Sequence, residues 1–478
     1  VFFLTLQRLI KLKKKRTMNV FAPLIAEQIN ISQYKIQKTI NLLNEGATIP
    51  FISRYRKEVT GGLDEVQIKS IEDEYKRLET LSKRKETILN SLVKLEKLTP
   101  ELEDKINSTW DEIILDIYLP YKPKRRTRAE KARELGLEPL ADILWQQKNT
   151  TIYAEASKFK TDTIESVDEI LAGARDIIAE RVSEDQRARQ LVRNAYDRNT
   201  WVKTQVIKDK EEEGAKYKNY FDFNQPLKRC SSHQILAILR AQKEEVLRMS
   251  IASDDEYIVE SLIRQFVFTK NESAKEVEKA VVDGYSRLLK PSIETEVINK
   301  AKDRADDEAI RVFTENLKQL LLAPPLGQKR TLGIDPGYRT GCKVVCLDNQ
   351  GNLLHNETIY PHPPQSKQKQ AAATLRKLVE AYRIEAIAIG NGTASRETES
   401  FVTHQSFDRK VQVFTVSEQG ASIYSASSIA REEFPDYDVT VRGAVSIARR
   451  LMDPLAELVK IDPKSIGVGQ YQHDVDQT

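Results

Sequence analysis

The sequence predicts a multidomain protein, mostly α-helical at first and mixed α/β afterwards. Three observations carry this. A chain of 478 residues exceeds what one hydrophobic core usually holds. Apolar residues recur at helical spacing from residue 19 to about residue 322. Then Ala323-Pro324-Pro325-Leu326-Gly327 breaks the pattern, and short apolar runs separated by turn residues take over.

The first 17 residues hold six cations (Arg8, Lys11, Lys13, Lys14, Lys15 and Arg16) and no acid. Their apolar part comes first and the basic part second, the reverse of a secretory signal. They read as an extension outside the fold, with a phosphate-touching arm as the alternative. Net charge is +4, and without those six cations the rest is −2, so global charge gives no argument for nucleic acid.

Residues 19–30 predict an amphipathic helix. Ser32 opens a second, with Ile36, Ile40 and Leu43 on one face and Gly46 at its stop. Two short helices across a tight break permit a helix-turn-helix. After Gly61-Gly62, Asp64 and Gln67 predict a capping box at the start of a long helix. Thr99-Pro100 reads as a cap plus a first-turn proline. Helical periodicity dominates from there, interrupted at Asn219–Pro226 and Arg287–Pro291. Beyond Gly327, strands are predicted at Thr331–Ile334, Lys343–Leu347, Leu353–Tyr360, Ala386–Ile389 and Val411–Val416, the last three alternating with helices. The expected organisation is an extension at 1–17, helical regions at 18–120 and 121–327, an α/β domain at 328–455, and a further segment at 456–478.

Composition excludes several classes. No apolar run is long enough to span a bilayer, and three scattered cysteines make no disulfide framework. A cytoplasmic protein is expected. Cys230, Cys342 and Cys346 read as buried thiols. Five histidines and no credible triad argue against nucleophilic catalysis.

Three places could carry chemistry. Asp335 ends a buried strand before Pro336-Gly337, where a carboxylate can face a cleft and a hard cation; an Asx turn is the plainer reading. Glu418 follows a later strand and Asp453 ends a helix, and three such acids converging could hold Mg²⁺ or Mn²⁺. Asp453 precedes Pro454, so a helix cap is its alternative. Gly390-Asn391-Gly392-Thr393-Ala394-Ser395 joins a strand to a helix and could cradle a phosphate through Gly390, Asn391, Gly392, Thr393 and Ser395, although it is neither a P-loop nor a dinucleotide fingerprint; a plain αL turn with Thr393 or Ser395 as helix cap is the alternative. Tyr118, Tyr121, Lys122, Lys124, Arg125, Arg126 and Arg128 mix cations with aromatics, as a phosphate-tracking, base-stacking surface would. A strap whose arginines pair with acids of the long helices is the alternative. Arg54, Tyr55, Arg56 and Lys57 form a second basic cluster.

Long ordered segments resemble the Tex family of transcription accessory proteins: Leu42–Gly62, Tyr118–Arg128, Leu320–Thr340, Ala388–Glu397 and Arg442–Val475. The resemblance implies a helical N-terminal region with helix-turn-helix character and a YqgF-type, ribonuclease-H-like domain. Tandem helix-hairpin-helix and RNA-binding OB-fold modules would come next, so 456–478 is expected to be the start of the former in a C-terminally truncated member: Met452, Leu455, Leu458 and Val459 form an apolar stripe expected to pack on the sheet or the long helices, and the chain after about Ile461 is expected to be loosely held, with Ile466 and Tyr471 exposed. Asp335, Glu418 and Asp453 match acids of active relatives, whereas Gly390-Asn391-Gly392 stands where resolvases of this fold carry a glutamate. The expectation is therefore a non-catalytic transcription factor binding RNA and, second, DNA, with RNA polymerase or the ribosome as candidate docking partners and no required cofactor. The alternative is a metal-dependent nuclease or resolvase acting through the three acids.

Overall fold

The computed structural model describes residues 20–123, 126–148, 151–161 and 164–476. The 1–17 extension, Lys124 and Arg125 lie outside the described residues. The chain divides into two compact units, each discontinuous: Val1–Asn199 with Asp254–Glu294, and Thr200–Ser253 with Thr295–Thr478.

The first unit is helical. Helix α1 spans 20–29, then α2 Gln33–Asn44, α3 Ile49–Tyr55 and α4 Lys57–Thr60. Ser32 holds the N-cap position of α2 with extended backbone, but its side chain does not cap. α5 (Glu65–Lys94) starts with the expected capping box: the Gln67 amide N–H donates to Asp64 Oδ1 over 2.7 Å, and the Asp64 N–H to Gln67 Oε1 over 3.2 Å. Its Ile68, Ile71 and Leu78 join Phe21, Ile25, Ile36, Ile40 and Ile52 in one core. Thr99 caps α6 (Pro100–Ser108), and α7 (Ile114–Tyr118) adds Ile114 and Ile117 to a second core with Leu81, Ile88 and Leu92.

α8 (Arg128–Glu134), α9 (Glu138–Trp145), α10 (Ile152–Ser157), α11 (Val167–Glu184) and α12 (Gln186–Arg198) follow. The chain then enters the second unit, where strands β1 (Trp201–Val206), β2 (Asp222–Pro226) and β3 (Leu247–Ala252) make an antiparallel sheet in the order β2-β1-β3, with α13 (Ser232–Lys243) between the last two. This sheet departs from the expectation of helix through residue 322. Its period-two signal is faint because β1 turns only Val202 and Thr204 inward.

The chain returns to the first unit with α14 (Asp255–Phe266) and α15 (Glu272–Gly284). α15 packs on α11, where Glu276 and Arg175 form an ion pair. The approach is close at Gly284: a Cβ there would lie 2.8 Å from the Ala179 carbonyl oxygen. The interruption expected at Arg287–Pro291 is a π-helical turn, Tyr285–Leu289, running straight into α16 (Lys290–Leu321). Pro291 follows the π-helical turn inside this continuous helix, where it has no N–H to give to the preceding turn.

The remainder of the second unit is built on a five-stranded mixed sheet in the order β6-β5-β4-β7-β8. β4 (Thr331–Asp335), β5 (Cys342–Leu347) and β6 (Leu353–Ile359) form an antiparallel meander, and β7 (Ala386–Gly390) and β8 (Gln412–Val416) run parallel to β4. β7 is buried along its whole length, as a strand covered on both faces must be. One face packs against α17 (Gln368–Tyr382) and α18 (Ser395–Thr403) through Leu375, Val379 and Val402. After α19 (Ala421–Ala426) and α20 (Ser428–Glu433), α21 (Val439–Met452) covers the other face with Ala444, Val445 and Ala448. It crosses β4 at Gly333, where a Cβ would sit 2.7 Å from the Ala444 carbonyl oxygen. Cys230, Cys342 and Cys346 are buried free thiols.

The segment after α22 (Pro454–Leu458) was expected to hang loose, with Ile466 and Tyr471 exposed. It does not. Ile466 is 1% exposed and joins Leu458, Ile461 and Tyr424 against Leu317, Leu320 and Leu321 of α16. Asn316 Nδ2 donates to the Val468 carbonyl over 3.0 Å, and the Tyr471 ring stacks on His233 of α13. An apolar stripe earlier in the chain, on α16, supplies the partner. Of the stripe expected after Met452, Leu458 is buried but Leu455 and Val459 are exposed.

Candidate functional site

The end of β4 sets one candidate site. Asp335 pairs with Lys343 across the β4–β5 ladder, and its carboxylate lies where α21 begins, with Oδ2 3.6 Å from where a Gly443 Cβ would stand. Burial pushes its pKa up to about 6, helped by the nearby Glu418 carboxylate and opposed by Lys343. Two acids are thus brought together.

Glu418 is presented by the turn after β8. Arg450 of α21, itself buried, fastens that turn by donating from Nη1 to the carbonyls of Ser417 over 2.9 Å and Gln419 over 2.6 Å. The Glu418 N–H donates to Asn391 Oδ1 over 3.0 Å, and the Asn391 N–H to the Val416 carbonyl over 2.9 Å. The Glu418 carboxylate lies over the glycines of the β7–α18 loop. A Cβ at Gly390 would come 2.7 Å from Glu418 Oε2, and one at Gly392 would overlap Oε1. The loop read as a phosphate cradle therefore has a carboxylate against it, a like charge for any phosphate. Neither Thr393 nor Ser395 caps α18: Ala394, at φ 65°, holds the N-cap position with no side-chain bond, and Ser395 is buried.

Asp453 does not join the pair. Its side chain caps α22, accepting from the Ala456 N–H over 3.0 Å. Asp335 meets α21 at Gly443, and Asp453 lies about 15 Å further along the helix axis. Among the described residues no group of three or more His, Cys, Asp or Glu side chains is placed to hold a metal ion.

The Tyr118–Arg128 segment divides by role. Tyr118 and Tyr121 pack against the core under α5 and α7, and the Tyr118 hydroxyl lies 2.7 Å from Ser91 Oγ. They follow Ile114 and Ile117 by four residues each, a spacing that puts them on the same apolar face and could have revealed their role. Arg126 pairs with Glu134 of the adjacent short helix α8 at 2.9 Å, and Arg133, beyond the segment, reaches Glu180 of α11 at 2.8 Å. Lys122 and Arg128 are exposed.

The second basic cluster is open. Arg54, Tyr55, Arg56 and Lys57 are all exposed at the α3–α4 junction. Phe51, which the sequence reading passed over, completes it: its ring lies 5.6 Å from that of Tyr55, and the Arg56 guanidinium sits 5.0 Å from its centroid. Ile52, the next residue, is buried, so the face that carries Phe51 and Tyr55 points outward. Two exposed rings among three cations can stack bases and neutralise phosphates.

A meander of three strands followed by two parallel ones, with an acid at the end of the first strand, defines a ribonuclease-H-like domain, here preceded in the chain by a helical region. Sequence comparison agrees: residues 329–452 match the Tex protein YqgF-like domain, 147–313 the Tex central region-like family, and 19–93 the Tex-like protein N-terminal domain. The chain belongs to the Tex family. It is 43% identical over 465 residues to the transcriptional accessory protein Tex of Neisseria gonorrhoeae, covering 95% of this chain and 61% of that protein. It is 47% identical over 478 residues to protein YhgF of Escherichia coli, covering 96% and 61%. To the human S1 RNA-binding domain-containing protein 1 it is 32% identical over 474 residues, covering 95% and 47%. The chain thus spans less than two thirds of the length of these relatives. No helix among the described residues is long and apolar enough to cross a membrane.

Proposed function

We propose that this chain is a nucleic-acid-binding transcription accessory factor, acting on RNA first and DNA second, without turnover. The open platform of Phe51, Arg54, Tyr55, Arg56 and Lys57 carries the reading. The names of the relatives, one an accessory protein of transcription and one an RNA-binding-domain protein, support it. The geometry at Asp335 supports the absence of turnover, because among the described residues no third acid joins the pair, as a two-metal phosphodiester site would need.

The test is binding of single-stranded RNA and of duplex DNA across a salt series. Phosphate contacts make affinity fall with salt. Replacing Arg54, Arg56 and Lys57 together by alanine is expected to reduce the single-strand salt slope by about 2 and weaken all sequences alike. Phe51→Ala is expected to cost about 1–3 kcal/mol, the worth of one stacked base. Unchanged affinity in both variants would sink the reading. A protein partner, RNA polymerase or the ribosome, would be recognised as one that stays on the chain after nuclease treatment of a lysate.

A further inference from the structure

The α/β domain has a second concave feature, away from Asp335 and Glu418. α17 and α18 lie on the same face of the sheet and leave an open cleft of about 870 Å³ between them. Lys369 and Arg376 of α17 and Arg396 of α18 line it, with Phe401, His404 and Gln405.

Its wall is basic. Many arginines and lysines elsewhere in the chain sit in ion pairs, often at helical spacing. Yet among the described residues Lys369, Arg376 and Arg396 have no carboxylate within ion-pair distance. The one acid on the cleft wall, Glu397, has its carboxyl bonded to its own backbone N–H and to the Tyr338 hydroxyl, and these bonds, with the nearby His362 and Arg396, hold it below the usual carboxylate range. Three unpaired cations facing one hollow repel each other and are stabilised by an anion placed between them.

The cleft is also prepared for its ligand. Arg376 Nη2 donates to Gln405 Oε1 over 3.2 Å, which fixes the guanidinium and leaves its other donors free. His404 donates from Nδ1 to the Ser400 carbonyl over 2.6 Å, so its Nε2 edge is the one left for a ligand. A guanidinium fixed in advance loses less freedom when it grips a phosphate. The volume is several times what a bare phosphate needs and falls in the range of small-ligand sites. Phe401 offers an aromatic surface beside the cations.

We propose that the α17–α18 cleft binds the phosphate ester of a nucleotide, its phosphate held by Arg376, Arg396 and Lys369 and its base laid towards Phe401. The nucleotide is either free or one unit of a strand. The site is separate from the α3–α4 platform and does not depend on the function proposed above.

The test uses the whole chain with two probes: 5′-AMP by calorimetry and a labelled oligouridylate by anisotropy. The variants are Arg376→Gln with Arg396→Gln and, separately, Lys369→Gln. These side chains are exposed or only partly buried, and circular dichroism melting is expected to be unchanged. AMP binding that weakens about tenfold in the double variant supports the proposal with a free nucleotide as ligand. Oligouridylate binding that persists when Arg54, Arg56 and Lys57 are alanine, and disappears when the cleft changes are added, supports it with a strand as ligand. If neither probe responds to the cleft substitutions, the proposal is overturned. That result would leave the platform reading untouched, because the platform is judged by its own substitutions.

Discussion

Asp335 carries an electrostatic cost that the fold does not remove. Its neutral form is favoured in the folded chain, with a pKa near 6 against an ordinary carboxylate value of 3.8. The sign follows: its contribution to stability is present below about pH 4 and is lost as pH rises through 6. Asp335→Asn is therefore expected to be the more stable protein at pH 7–8, by about 1–2 kcal/mol once the partial exposure of the group is allowed for. The difference should close near pH 4. Denaturant titrations at the two pH values measure it. The same experiment examines the cation question, since Mg²⁺ or Mn²⁺ held by Asp335 and Glu418 would raise the stability of the parent at pH 7 and not that of the variant. Asp335 was legible in the sequence because an acid closing an apolar run can only lie at a strand end. Asp453 was not, because an Asp-Pro junction between helices serves equally as a cap, and here the cap won.

Among the elements, α21 depends on one residue it does not contain. It lies against β4 at Gly333, where a side chain would press on the Ala444 carbonyl, on Ala448 Cβ at 2.8 Å and on Val345 Cγ2 at 3.0 Å. Two of these three contacts belong to α21, and one is rigid backbone. Gly333→Ala is expected to lower stability by about 1–3 kcal/mol, the usual cost of overpacking, and to shift the denaturation midpoint accordingly. Because Arg450 of α21 also fastens the Glu418 turn, that displacement should change the titration of Asp335. The strands of this sheet were readable, since β4 and β7 are apolar runs with turns on either side. The small sheet of Trp201–Ala252 was not. Asp222–Pro226 contains Asp, Asn, Gln and Pro, and its one aromatic, Phe223, carries no period by itself. The two strands that pair with β1 lie on either side of α13 in the chain, and that pairing is non-local information.

At the level of the whole molecule, the sequence disclosed the order of helical and mixed parts better than it disclosed their grouping. Punctuation such as Ala323–Gly327 marks where one pattern stops, but not which segments share a core. The chain crosses between its two units at residues 199–200, 253–254 and 294–295, and none of these places carries a proline–glycine break like the one at Ala323–Gly327. The buried tail was misjudged for the same reason: Ile466 finds its neighbours on α16, well over a hundred residues earlier.

The pairing of α11 with α15 has a consequence for how the protein is made. A ribosome finishes α11 at Glu184 and must then produce the whole of Thr200–Ser253, which belongs elsewhere, before α15 is complete at Gly284. At bacterial or eukaryotic elongation speeds that interval lasts about 5–20 s. For that time the face of α11 that α15 will cover is an orphan, and Arg175 waits for Glu276. Nascent chains of this architecture are therefore natural clients for a holdase acting on an incomplete helical bundle, and a pause in translation anywhere between α12 and α14 would lengthen their exposure.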